Sequence, residues 1–139
     1  MNNISTSAPS MTREDALKVF ASIVAEITEC ADELVALLRR HGEDKWGDNF
    51  AVFSEQMRAA QTDRARRDAV RCFKSFHGGM GSWNDFYILA LGEEEALRCR
   101  LSGELSRLCE QLTTALDESP EEPQVGLWAK LSGLFKRDG

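Results

Sequence analysis

The chain has 139 residues, enough for one ordinary hydrophobic core and too few for two. It is 42% hydrophobic and 29% charged, a balance that fits a compact domain with a well-solvated surface. Its formal charge of −6 repels nucleic-acid backbones and anionic membranes, so no nucleic-acid partner is expected, and a basic partner would be complemented.

The N-terminal segment 1–11 is polar, rich in Ser and Asn, and reads as disordered. It lacks both a basic start and an apolar stretch, so no signal peptide is expected. Thr12 followed by Asp15 reads as an N-cap with an acidic first turn. From there Leu17, Phe20, Val24, Ile27, Ala31, Leu34 and Leu38 recur at helical steps, with Val19, Ile23, Val35 and Leu37 widening the stripe. The spacing predicts a long amphipathic helix ending at His41-Gly42, where glycine supplies a left-handed cap. A polar turn carrying Trp46 follows. A second helix is expected over about 48–60, capped by Asp48 or Asn49, with Phe50, Phe53, Met57 and Ala60 on one side.

Thr62 or Asp63 opens a third helix running to about Phe76. Ala69, Val70, Phe73 and Phe76 form its apolar side; Arg64, Arg67, Arg71 and Lys74 form its basic side. That basic side is a candidate anion site together with Gly78, Gly79 and Gly81, whose backbone N–H groups could cradle a phosphate. A solvated face neutralised by Asp63 and Asp68 explains it as well. No Gly-Lys-Ser/Thr follows the glycines, which excludes a P-loop. His77-Gly78-Gly79-Met80-Gly81 superficially matches the oxyanion segment of α/β-hydrolases, but no Gly-x-Ser-x-Gly elbow accompanies it. Ser82 and Asp85 cap a short helix through Phe86 and Leu89. The Glu93-Glu94-Glu95 run suits the positive end of a last long helix carrying Leu97, Leu101, Leu105, Leu108, Cys109, Leu112 and Leu116.

The reading is therefore all-α: an irregular bundle of about five helices over 12–118, an acidic proline-containing linker over 119–125, and a short amphipathic helix over 126–139. In that last segment Trp128, Leu131, Leu134 and Phe135 could meet a membrane surface, a partner, a second copy, or the bundle itself. Folding back onto the bundle ranks first. No apolar run approaches the roughly 20 residues that span a bilayer. Cys30, Cys72, Cys99 and Cys109 contain no CxxC pair and sit at helical positions, where reduced, buried thiols in a cytoplasmic protein are expected. His41 and His77 are the only histidines, so no metal and no cofactor is expected.

Leu37-Leu38-Arg39-Arg40-His41-Gly42-Glu43-Asp44-Lys45-Trp46, followed by Phe76-His77-Gly78-Gly79-Met80-Gly81-Ser82-Trp83-Asn84-Asp85, resembles a family of small bacterial helical proteins. That family shares a Leu-Leu-Arg-x-His-Gly-like turn and a Phe-Gly-Gly-Met-Gly-Ser-x-Asn-Asp signature. His77 departs from the signature by standing between Phe76 and the glycines, and Trp83 stands where Leu or Phe is usual. The resemblance covers about residues 30–90 and implies a bacterial cytoplasmic protein without assigning an activity.

The functional expectation is a non-enzymatic protein-binding domain, in its concrete form an immunity or antitoxin-like protein that masks a basic toxin domain. Its candidate contact residues are Glu43, Asp44, Trp46, Asp48, His77, Met80, Trp83, Asn84 and Asp85. No catalytic residue is assigned. The alternatives are an anion or nucleotide sensor, or small enzyme, at loop 77–85, and a membrane adaptor acting through 126–137.

Overall fold

A computed structural model describes residues 11–78, 82–83 and 92–122. Among them stand four α-helices, α1 (Arg13–Arg40), α2 (Asp44–Ala59), α3 (Asp63–Ser75) and α4 (Glu93–Glu118), and no strand. The all-α expectation holds. The short helix expected after Ser82 and the helix expected over 126–139 lie outside the described residues.

The helix ends follow from local chemistry. Thr12 Oγ1 accepts the Asp15 amide at 3.0 Å and Thr62 Oγ1 accepts the Ala65 amide at 3.0 Å, each satisfying an amide that the first turn leaves unbonded. At the far end of α1, Gly42 adopts φ 73°. Its N–H donates to Arg39 O at 3.1 Å while the Glu43 N–H donates to Leu38 O at 2.9 Å, the two bonds of a Schellman cap. This tight reversal leaves Glu43 as the N-cap position of α2, so the helix begins at Asp44 rather than near Asp48. Trp46 is consequently a helical residue. Asp48 is no cap; it lies 3.0 Å from Arg39.

The helices alternate in direction. Arg39 meets Asp48 and Arg58 meets Asp32, so α1 and α2 are antiparallel. His41 meets Glu94 at one end of the α1–α4 pair and Arg13 meets Pro120 at the other. Phe50 and Phe53 pack on Phe73, and Arg67 pairs with Asp117, which completes an up-down-up-down bundle. Its core holds Phe20, Ile27, Leu34 and Leu38 of α1, Phe50, Phe53 and Met57 of α2, Val70 and Phe73 of α3, and Leu105, Leu108 and Leu112 of α4. Each such side chain contributes about 1.5–3 kcal/mol by leaving water.

The buried line of α1 keeps Phe20, Ile27, Ala31, Leu34 and Leu38 of the expected one and departs from it at Leu17 and Val24. Ala16, Phe20, Ile23, Ile27, Cys30 and Ala31 face inward, whereas Leu17 is 40% exposed and Val24 is half-buried. The cause is a length mismatch. α1 has 28 residues and α2 has 16, so the opposing helix stops level with Asp32 and leaves the lower flank of α1 uncovered by it.

Candidate protein-binding surface

The residues expected to form a recognition loop divide between core and surface. Trp83 is 2% exposed. Its indole packs edge-on against Trp46 at 5.2 Å and Phe50 at 4.7 Å, and its Nε1–H donates to Ser102 Oγ at 2.7 Å. Arg98 lies over the ring at 5.0 Å and is itself buried, held by paired hydrogen bonds to Glu95 at 2.8 and 2.6 Å. The Glu95 hydrogen bonds raise the Arg98 pKa against the opposing effect of burial. Trp83 is thus a core residue, where an exposed loop position was expected. The polar Gly-Ser-x-Asn-Asp neighbourhood suggested surface, but Ser102 and Arg98 satisfy the indole from α4 and let it pack inward. Trp46 is half-buried in the same aromatic cluster, packed on Phe50 and Phe76. His77 packs edge-on against Phe73 at 4.7 Å with Nδ1 3.0 Å from Phe73 O. Met80, Asn84, Asp85, Gly79 and Gly81 lie outside the described residues.

On α3 the basic side is only partly free for an anion. Arg67 pairs with Asp117 at 2.8 Å and Arg71 with Asp68. Asp63 was expected to neutralise this side; instead it grips Arg13 of α1 through two hydrogen bonds, at 2.9 and 2.7 Å, and Arg66 at 3.1 Å. Arg66 also lies 5.2 Å over the Phe20 ring, a structural role that the sequence did not reveal. Arg64 and Lys74 are exposed, and so is Gly78. Lys74 and His77 border a pocket of about 280 Å³ whose other walls are Phe73, Ser106, Cys109 and Glu110.

Glu43 and Asp44 stand at the start of α2, where carboxylates complement the helix dipole. A second acidic surface was not anticipated. Glu26, Glu29 and Glu33 of α1 line a groove with Glu104 of α4, floored by Cys30, Leu101 and Leu108. The i, i+3, i+7 spacing of the three α1 glutamates puts them on one helix face and is the signal that could have found them. Among the described residues none of these three has a cation within salt-bridge distance, whereas Asp32 on the neighbouring flank is bound to Arg58 and Ser54. Glu104 is tied to Arg107 at 2.7 Å. Beneath them the Cys30 thiol contacts Leu101 O at 3.4 Å and is pushed up to about 11, first by burial and then by Glu104, Glu33 and Glu29.

Cys30 and Cys109 are buried as expected; Cys99 is exposed and Cys72 half-exposed, because α4 and α3 turn those positions away from the core. Among the described residues no group of three His, Cys, Asp or Glu side chains is placed to hold a metal ion. Among them, too, no helix is long and apolar enough to cross a membrane. The described residues form a four-helix bundle with a line of glutamates along the α1–α4 groove. Neither the protein-family models nor the curated proteins and solved structures yield a match to this chain.

Proposed function

We propose that this is a non-enzymatic protein-binding domain that engages a basic partner through the α1–α4 face, in the manner of an immunity or antitoxin-like protein masking a toxin. The observation that carries this reading is the glutamate line Glu26, Glu29 and Glu33 beside Glu104, three of the four without a bound cation among the described residues. Like charges one helical turn apart repel, by about 0.2–0.5 kcal/mol per pair. A cationic partner would relieve that repulsion on binding and would be steered to the face over a Debye length of about 10 Å. Glu43, Asp44 and Asp48 extend the acidic character to the start of α2, with Asp48 partly neutralised by Arg39.

The test is co-purification from a native lysate at low salt with the wild-type chain, the Glu26→Lys/Glu29→Lys/Glu33→Lys variant, and a Glu43→Lys/Asp44→Lys variant. The reading expects one dominant, stoichiometric, basic partner, lost with the α1 reversal and released by salt. Recovery that ignores the α1 reversal, or no recovery under gentle conditions, would count against it.

A second reading, a small anion or nucleotide site, draws on the pocket between Lys74, His77 and Glu110. It expects the melting temperature to rise with an added phosphate or nucleotide and Lys74→Ala to remove the rise. A flat thermal-shift series would set it aside.

A further inference from the structure

The flank of α1 that α2 leaves uncovered is a groove of about 540 Å³. Its floor is Leu17, Ala21, Val24, Ala25 and Thr28, and Arg58, near the end of α2, stands on its wall. Leu17, Ala21 and Ala25 are exposed and lie within about 80° of one another round α1, at about 100° per residue. From Leu17 to Thr28 the floor runs about 16 Å at about 1.5 Å per residue. The two alanines let the backbone of another helix approach closely.

The order of side chains along this strip selects its occupant. Leu17 stands at one end, Ala21 in the middle and Ala25 at the other. Rotated end for end about Ala21, the strip complements itself: each Leu17 lies over the opposite Ala25, and Ala21 meets Ala21. The charges follow the same operation. Glu14, exposed one turn before Leu17, comes over Thr28, where Arg58 reaches across from α2 to Asp32 at 2.8 Å. The bonds from Arg58 to Asp32 and Glu55 use two of the five N–H donors of a guanidinium, so a third carboxylate can join. A parallel pairing would set Glu14 against Glu14 and Leu17 against Leu17. A foreign segment of uniform charge would be repelled at one end, by Arg58 or by Glu14.

We propose that this face is a two-fold interface with a second copy of the chain, the two α1 helices antiparallel and the dyad at Ala21. Two symmetric Glu14–Arg58 pairs flank the apolar strip, and the aliphatic stem of each Lys18 lies along the opposite Val24. A strip of this length buries less than the roughly 800 Å² per partner of a stable complex, so the dimer is weak and forms at high protein concentration. Glu26 and Glu33 lie about 120–140° round α1 from Ala21, which leaves the α1–α4 groove open in both copies.

The experiment joins disulfide trapping to sedimentation equilibrium on the full chain. In a Cys72→Ser/Cys99→Ser background, which removes the accessible native thiols, the Ala21→Cys thiol sits at the dyad and faces its own symmetry mate. Under oxidised glutathione it should link two chains on the order of ten-fold faster than a Val52→Cys thiol, which is exposed on α2 away from the groove. Sedimentation of the wild type should show a dimer growing with concentration. Leu17→Glu, at an exposed position, should weaken it on the order of ten-fold or more with circular dichroism unchanged. Glu14→Arg should weaken it too, and adding Arg58→Glu should restore part of the loss. Linking of Ala21→Cys no faster than of Val52→Cys would overturn the proposal. So would a chain that stays monomeric up to millimolar concentration, or a dimer that survives Leu17→Glu.

Discussion

Replacing Trp83 by alanine removes an indole that packs on Trp46 and Phe50, donates to Ser102 and shields Arg98. We expect a loss of about 3–5 kcal/mol, read as a shift in the urea midpoint, whereas a surface tryptophan would change it by less than about 0.5 kcal/mol. Its burial was not legible because what satisfies the indole is Ser102, nineteen residues away on α4. The thiols set a pH limit. Cys30 is pushed up to about 11 and Cys109 to about 12 from 9.0, both chiefly by burial. Between these values the unfolded chain releases thiol protons that the folded chain retains. Stability is therefore intact below about pH 9 and drains as pH rises toward the folded values, by at most about 1.4 kcal/mol per unit for each thiol. Urea midpoints at pH 8 and pH 10.5 should show this fall, and Cys109→Ala should flatten it while lowering stability at pH 7. At pH 8 an aromatic disulfide reagent should titrate Cys99 first and spare Cys30 and Cys109 until the chain unfolds.

At the scale of elements, helix starts and stops were the most legible features, because they are set by residues within one turn. Thr12, Thr62 and Gly42 act as their chemistry dictates. Gly42→Ala forces a side chain onto φ 73° and should cost about 1–2 kcal/mol in chemical denaturation. Thr12→Ala should cost about 1 kcal/mol by leaving the Asp15 amide without its acceptor. The start of α2 was less legible. Asp48 looks like a cap, yet the Schellman reversal at Gly42 already presents Glu43 as the N-cap position and begins the helix four residues before Asp48. Which of two adjacent apolar lines on α1 would be buried was hidden as well. Leu17 and Val24 lie beside Phe20 and Ile23 on the same broad stripe, and only the neighbouring helices decide between them.

For the molecule as a whole, exposed charges are distributed unevenly. Short-range pairs such as Arg58 with Glu55 and Arg107 with Glu104 carry little stability, since exposed pairs are worth at most about 1 kcal/mol. Reversing Glu26, Glu29 and Glu33 to lysine should therefore leave the melting temperature within a few degrees of wild type while removing affinity for a basic partner, measurable side by side on one preparation. The acidic balance was readable from composition, but its concentration on the α1–α4 groove was not, since Glu104 joins the other three only when α4 packs on α1. The sequence by itself determined that the described residues are helical, where α1 and α4 begin and end, and most of the leucines and phenylalanines that fill the core, Leu17 excepted, because capping and 3.6-residue periodicity act over one or two turns. Only the tertiary structure decided that Trp83 is interior, that Asp63 binds Arg13, and that a flank of α1 outruns α2. Those outcomes depend on distances between residues far apart in the chain, and no local pattern encodes them.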